Sequence, residues 1–180
     1  TSTQCYESND IEELTKSPMK VGQLNNEDAE NPELRMLHAL KINDVFSVLS
    51  DNELADIVPL MESVQLSSGK FLYRAGDERK YVYVIEQGVV KITKKGENDT
   101  IITTMSDGAS VSETALLGPS VCQQARHALH AQVEVDVVAY KIEVDLLQKR
   151  MSKDITFKHT LMKHFFLTDS SLSYERTRTK

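Results

Sequence analysis

Cysteine is scarce in this 180-residue chain: Cys5 and Cys122 stand far apart, without paired metal-ligand spacing, so two reduced thiols are expected rather than a disulfide framework. No apolar run approaches the length of a membrane-spanning helix, and no N-terminal stretch is built like a secretory signal, so a cytoplasmic location without membrane insertion is expected. Positive charge is also in short supply. Lys and Arg number 21 against 27 Asp and Glu, a net charge of -6, which argues against nucleic acid as the main partner but leaves room for one local basic pocket. The helical segment expected after the last strand pattern, 141–169, is only roughly thirty residues long, too few for a helix-turn-helix reader. The chain opens on Thr1 rather than Met, so a piece of a longer protein or a processed product is expected.

What is present is ordered by its periodicity. Residues 1 to 30 carry a polar acidic run, Asn25, Asn26, Glu27, Asp28 and Glu30, and read as a flexible arm whose Ile11–Leu14 patch could form one docking turn. Asn31 and Pro32 then suit the cap and first position of a helix carrying Leu34, Leu37 and Leu40 to about Lys41. Ser50 with Glu53 three residues later predicts a second helix start, and Pro59 should kink or end that helix. From Glu62 the period shifts to two. Short strands are expected at 62–66, 70–73, 81–85, 89–93, 100–105, 127–131 and 133–140, with Gly76 and Gly88 at turns that need positive φ. Helical spacing returns with Ile142, Val144, Leu146, Leu147 and Met151, then Ile155, Phe157, Leu161, Met162, Phe165 and Phe166. The expectation is an α+β fold: an antiparallel β-roll or jelly-roll barrel over 63–140, flanked by helices at 31–62 and 141–169, with a polar tail at 170–180.

One stretch interrupts the strands. Gly108-Ala109-Ser110-Val111-Ser112-Glu113-Thr114-Ala115-Leu116-Leu117 places small residues before a short helical stub, and Arg126-His127-Ala128 follows a spacer. A helix starting near Glu113 leaves unpaired backbone N–H groups directed at whatever lies before it, which suits a phosphate. The Arg126 guanidinium could add a charge-assisted contact, and Glu113 could accept from a sugar hydroxyl. His127 and His130 have no carboxylate or cysteine at metal spacing, and His159 and His164 are five apart, so neither a metal site nor a cofactor is expected.

Four motifs together resemble the cyclic-nucleotide-binding domain family over about 45–166. They are Phe71-Leu72-Tyr73-Arg74-Ala75-Gly76-Asp77; Tyr81-Val82-Tyr83-Val84-Ile85-Glu86-Gln87-Gly88-Val89-Val90-Lys91-Ile92; the 108–117 stretch, similar to the phosphate-binding cassette; and Arg126-His127-Ala128, similar to its closing arginine-x-alanine. The resemblance implies a regulatory domain with no catalytic apparatus. It implies Glu113 on the sugar 2′-hydroxyl and Arg126 on the cyclic phosphate, with Ser112, Thr114, Ala115, His127 and Ala128 around them. It also implies a cyclic nucleotide as ligand, cAMP ahead of cGMP, over which the C-terminal helices repack. Leu146, Leu147, Leu161, Phe165 and Phe166 are then the candidate moving contacts.

The cassette departs from the family pattern at three points. Ser112 stands where glycine is usual, Val111 where phenylalanine is usual, and thirteen positions separate Glu113 from Arg126. Two alternatives therefore remain beside cyclic-nucleotide sensing. One is a degenerate domain that docks a protein through its arm or terminal helices. The other is a domain with a different small ligand, such as a nucleoside or another phosphate ester.

Overall fold

The computed structural model describes residues 31–94, 100–117 and 126–167, with side chains to residue 164. The acidic arm with its 11–14 patch, both cysteines, the spacer at 118–124, the Phe165 and Phe166 side chains and the polar tail lie outside the described residues.

Helix α1, Pro32–Ile42, begins as its sequence dictates: the Asn31 side chain accepts from the Glu33 and Leu34 amides at 3.0 and 3.4 Å, and Pro32 needs no partner at the first position. Helix α2, Asp51–Ile57, has a complete capping box between Ser50 and Glu53. Pro59 lies in a single 3-10 turn, Val58–Leu60, that follows it. Strands β1, Met61–Leu66, and β2, Phe71–Tyr73, lead into β3, Tyr81–Lys94; then come β4, Thr100–Met105, and the two-residue β5, Ser110–Val111. A 3-10 turn at Glu113–Leu117 follows, then β6, His130–Glu143, and helices α3, Val144–Lys153, and α4, Ile155–Leu167.

The expected α+β arrangement is present, an antiparallel sheet with helices at both ends. Its strand count differs from the sequence reading. The segments 81–85 and 89–93 are one strand, not two strands around a glycine turn, and 133–140 belongs to one strand that starts at His130 rather than His127. The reason is a shared bend. Register between β3 and β6 shifts three times between Ile85 and Val90, opposite the exposed residues Glu134, Val135 and Asp136, so the polar interruptions mark bulges inside paired strands. Gly88 sits there at φ +106°, and a Cβ on it would collide with the Asp136 carbonyl oxygen. On one side of the bend β1 and β5 flank the long pair; on the other, β2 and β4 do.

Side-chain alternation divides the interior. Val82, Val84, Tyr140 and Ile142 face the helices, packing with Leu40, Phe46, Leu54, Ile57, Leu147, Phe157 and Leu161. Tyr83, Ile85, Val137 and Ala139 face the other way, with Val90, Ile92, Val111, Leu129, Ala131 and Val133. A half-buried polar joint ties α1 to the sheet: Arg35 donates twice to Glu86, at 2.9 and 2.8 Å, and the Tyr140 hydroxyl donates to Glu86 at 2.7 Å.

Candidate functional site

The cassette is held from behind by the end of α1. Asn43, fully buried, donates through Nδ2 to the Gly108 carbonyl at 3.0 Å, while its Oδ1 accepts from the Val45 and Phe46 amides and from the Ser110 hydroxyl. The Asp44 amide also donates to Gly108, and the Asp44 carboxylate accepts from the Ser110 amide at 3.0 Å. With β5 paired to Tyr83 and Val84 on its other side, the backbone entering Ser112 is fixed on both flanks.

Ser112 is the only non-glycine residue of positive φ among the described residues, at +69°. It is buried, and its hydroxyl has no hydrogen-bond partner among the described residues. Strain and an unmade hydrogen bond thus fall on one residue, immediately before the 3-10 turn. Within that turn Glu113 is half-buried, while Thr114, Ala115, Leu116 and Leu117 are buried.

Arg126 and His127 lie across from the 74–80 turn and strap it to the roll. His127 makes two backbone hydrogen bonds with this turn: its amide donates to the Asp77 carbonyl and its carbonyl accepts from the Gly76 amide, both at 2.8 Å. Alternation then sends the two side chains in opposite directions. Arg126 is exposed, its Nη1 donating to the Gly76 carbonyl at 2.7 Å and its Nη2 lying 3.8 Å from Glu78. His127 is buried and stacks on Tyr73, with ring centroids 3.5 Å apart and planes 8° apart. Burial, helped by the nearby Arg79 cation and opposed by Asp77, pulls the His127 pKa down to about 4, so the ring is neutral at pH 7. Ala128 is half-buried behind it.

Beside the 74–80 turn opens a cleft of about 390 Å³, lined by Tyr73, Tyr81, Tyr83 and His127 and by the charged residues Asp77, Glu78, Lys80 and Arg126; no residue of the 112–117 turn is among those that line it. Two acids and two bases balance there, so the cleft carries little net charge. Of the residues singled out from the sequence, Ser112, Glu113, Thr114 and Ala115 share one turn, His127 faces the cleft, and Arg126 stands at the outer rim. The sequence reading passed over Arg79. This half-buried residue reaches from the 74–80 turn to the cassette, donating from Nη2 to the Thr114 hydroxyl at 2.8 Å.

The terminal helices touch both halves of the site. The Val144 amide, at the start of α3, donates to the Lys80 carbonyl at 2.9 Å, and Gln148 Nε2 approaches the Ala115 carbonyl at 3.4 Å. Arg150 binds Asp56 at 2.8 Å and Asp154 at 3.3 Å, joining α3 to α2 and to the cap of α4. Leu147 and Leu161 are fully buried, whereas Leu146 is exposed. No helix among the described residues is long and apolar enough to cross a membrane.

Comparison with known proteins gives this geometry a family. The chain is 28% identical over 130 residues to a cAMP-dependent protein kinase regulatory subunit of Candida albicans, covering 72% of this chain and 26% of that protein. It therefore spans about a quarter of that relative's length. Among solved structures, the sensor domain of the transcriptional regulator DNR from Pseudomonas aeruginosa superposes with a TM-score of 0.63 at 16% identity, covering 80% of this chain and 97% of that one. The regulatory domain of Toxoplasma gondii PKA, crystallised with cAMP, superposes with a TM-score of 0.56 at 16% identity, covering 70% of this chain and 45% of that one. The family model described as the cyclic nucleotide-binding domain matches residues 63–154, and by that match over half its length the chain belongs to the cyclic nucleotide-binding domain family.

Proposed function

We propose that this domain is an intracellular regulatory sensor: a cyclic nucleotide, cAMP ahead of cGMP, binds at the Ser112–Ala115 turn, and the C-terminal helices pass the event to the rest of a larger protein. The observation that carries this reading is Ser112. A left-handed serine whose buried hydroxyl has no partner among the described residues costs about 1 to 2 kcal/mol for the backbone alone, and such strain clusters at ligand-binding turns. A phosphate oxygen accepting from that hydroxyl and from the amides that open the turn would offset the cost. Glu113 stands beside them for a ribose hydroxyl.

The bonds from Val144 to Lys80 and from Gln148 to Ala115 support the coupling, because α3 contacts both the turn beneath the cleft and the cassette. Only a ligand that favours one helix arrangement over the other can shift it, so signalling requires differential affinity for the two states. Titration calorimetry on the 180-residue chain tests the reading. Heat is expected with cAMP and less with cGMP; no heat at millimolar concentrations of either overturns it.

A second reading, a nucleoside or another neutral ring-bearing ligand, is favoured by the cleft itself. Its inward side chain is a neutral histidine stacked on tyrosine, and its charges cancel. Adenosine binding in the absence of cAMP binding would select it.

A further inference from the structure

We infer that the outer face of α3 and α4 is a docking surface for this chain's own acidic arm, with Asp10-Ile11-Glu12-Glu13-Leu14 seated on the lysines around Ile155.

The surface is marked first by charge. The whole chain has a net charge of -6, yet residues 144–167 hold five Lys and Arg against two acids, a net of +3. Their distribution is one-sided. Val144, Leu147 and Met151 of α3 and Phe157 and Leu161 of α4 are buried in the helix-side cluster. That leaves Leu146, Lys149 and Lys153 exposed at helical spacing on α3, and Ile155, Lys158, His159 and Lys163 exposed at helical spacing on α4. The two stripes meet where the helices join, with Lys153 and Ile155 on either side of Asp154. Ile155 keeps 83% of its surface in solvent.

The acids at this junction are already used. Asp154 accepts from the Thr156 and Phe157 amides at 2.9 and 3.0 Å and from Arg150, and Asp56 accepts from Arg150 as well. Lys149, Lys153, Lys158 and Lys163 pair with no carboxylate among the described residues, whereas Lys41 and Lys141 are paired with Asp51 and Glu62. An exposed isoleucine among uncompensated cations is the complement of a segment that mixes carboxylates with apolar residues.

The chain supplies such a segment. Residues 1–30 carry seven acids and two lysines, a net of -5. Within them Ile11 and Leu14 are three apart, the spacing of one helical face, with Asp10, Glu12 and Glu13 around them. Seventeen positions separate Leu14 from the Asn31 cap of α1. Extended, they span about 60 Å, more than the roughly 35 Å across a domain of this length. Exposed ion pairs are individually weak, but attachment to the same chain sets a local concentration in the millimolar range, so several weak contacts suffice. Arg150 joins α2, α3 and α4 at the same junction, so an arm laid there holds the terminal helices in the arrangement described. That consequence for signalling rests on the sensor reading; the contact itself does not.

Zero-length carbodiimide coupling of the 180-residue chain, followed by peptide mapping, tests the contact. At about 10 mM salt, links are expected between Asp10, Glu12 or Glu13 and Lys149, Lys153, Lys158 or Lys163, in chains of monomer mass. Their yield should fall about fivefold or more at about 1 M salt, as the screening length shrinks from about 30 to about 3 Å. Glu12→Lys with Glu13→Lys should cut the yield by a similar factor, and so should Lys153→Glu with Lys158→Glu. The four substitutions together should restore links in the reversed sense, a recovery that chance collision would not give. The arm pair lies outside the folded domain, so its loss of yield reads the contact even where the helix pair lowers the melting temperature. Links found only in dimers would seat a second copy's arm on this face and overturn the intramolecular docking. No links, links spread equally to Lys70 and Lys91, or yields unmoved by either swap would overturn the inference. Calorimetry with cAMP is independent of every one of these outcomes, so a failure here leaves the sensor reading standing, and the reverse holds too.

Discussion

The two apolar clusters share the same long strands yet close differently. On the helix side, Phe46, Phe157, Leu40, Leu147, Leu161 and Ile142 are all fully buried, sealed by α1, α2, α3 and α4. On the roll side, Val90, Ala131 and Val133 are equally buried, but Leu72, Tyr73 and Tyr81 at the margin are only half-covered and line the cleft. The cassette crosses from one to the other: Val111 packs in the roll, while Ala115, Leu116 and Leu117 pack with the helices. A ligand seated at the crossing would therefore act on helix packing through residues already embedded in it, without a separate relay.

The contrast is broken most directly from the sealed side. Phe157→Ala should cost about 3 to 5 kcal/mol, because the ring is fully buried and its removal leaves a cavity. It also removes the surface beneath the Arg150 guanidinium, which lies 4.8 Å from the ring centroid. Leu72→Ala, at the half-covered margin, should cost well under half as much in the same denaturant titration. Equal losses would show that the roll is as tightly sealed as the helix side.

Acid should act on the open side. The pKa of His127 is held at about 4 in the folded chain against about 6.5 when unfolded, so between those values the unfolded chain binds more protons. Its contribution is fully present above about pH 6.5 and is lost as pH falls from there to about 4, up to about 3 kcal/mol in total. Denaturant titrations across that window should therefore be steeper for the wild type than for His127→Phe, which keeps the stack on Tyr73 and removes the proton. Identical slopes would remove His127 as a cause of acid sensitivity.

The difference between the clusters also explains what could be read in advance. Asn31 with Pro32, Ser50 with Glu53, and Pro59 act within a few residues of themselves, so each helix boundary they set was legible. The strands were legible as periodicity but not in number, because Gly88 looks like a turn until it is placed opposite the bend at 134–136. At the site, the order of residues marked 108–117 as small residues before a short helical stub, since a helix start advertises itself locally, and the structure has a 3-10 turn at Glu113–Leu117. Arg79 was hidden for the opposite reason: it is one of several charges in the 74–80 turn, and its partner Thr114 lies 35 residues further along. The choice between Arg126 and His127 turned on the parity of one strand position, which pairing with residues 77 and 78 sets and no local pattern encodes.

The smallest expected effect falls at the crossing point and separates strain from function. Ser112 links the roll cluster to the helix cluster through a left-handed backbone, a conformation costing a non-glycine residue about 1 to 2 kcal/mol. Ser112→Gly relieves that strain and removes a buried hydroxyl that has no partner among the described residues, while glycine raises the entropy of the unfolded chain by an amount worth about 0.5 to 1 kcal/mol. The balance is a gain of about 1 kcal/mol, read as a small rise in melting temperature without ligand. If the hydroxyl donates to a phosphate, the same variant should bind cAMP more weakly, so stability and affinity move in opposite directions. A variant that gains in both would mean the serine is merely tolerated at a glycine position. One that loses stability would mean the hydroxyl is already satisfied in the free protein, and the argument from an unmade bond at the cassette would fall.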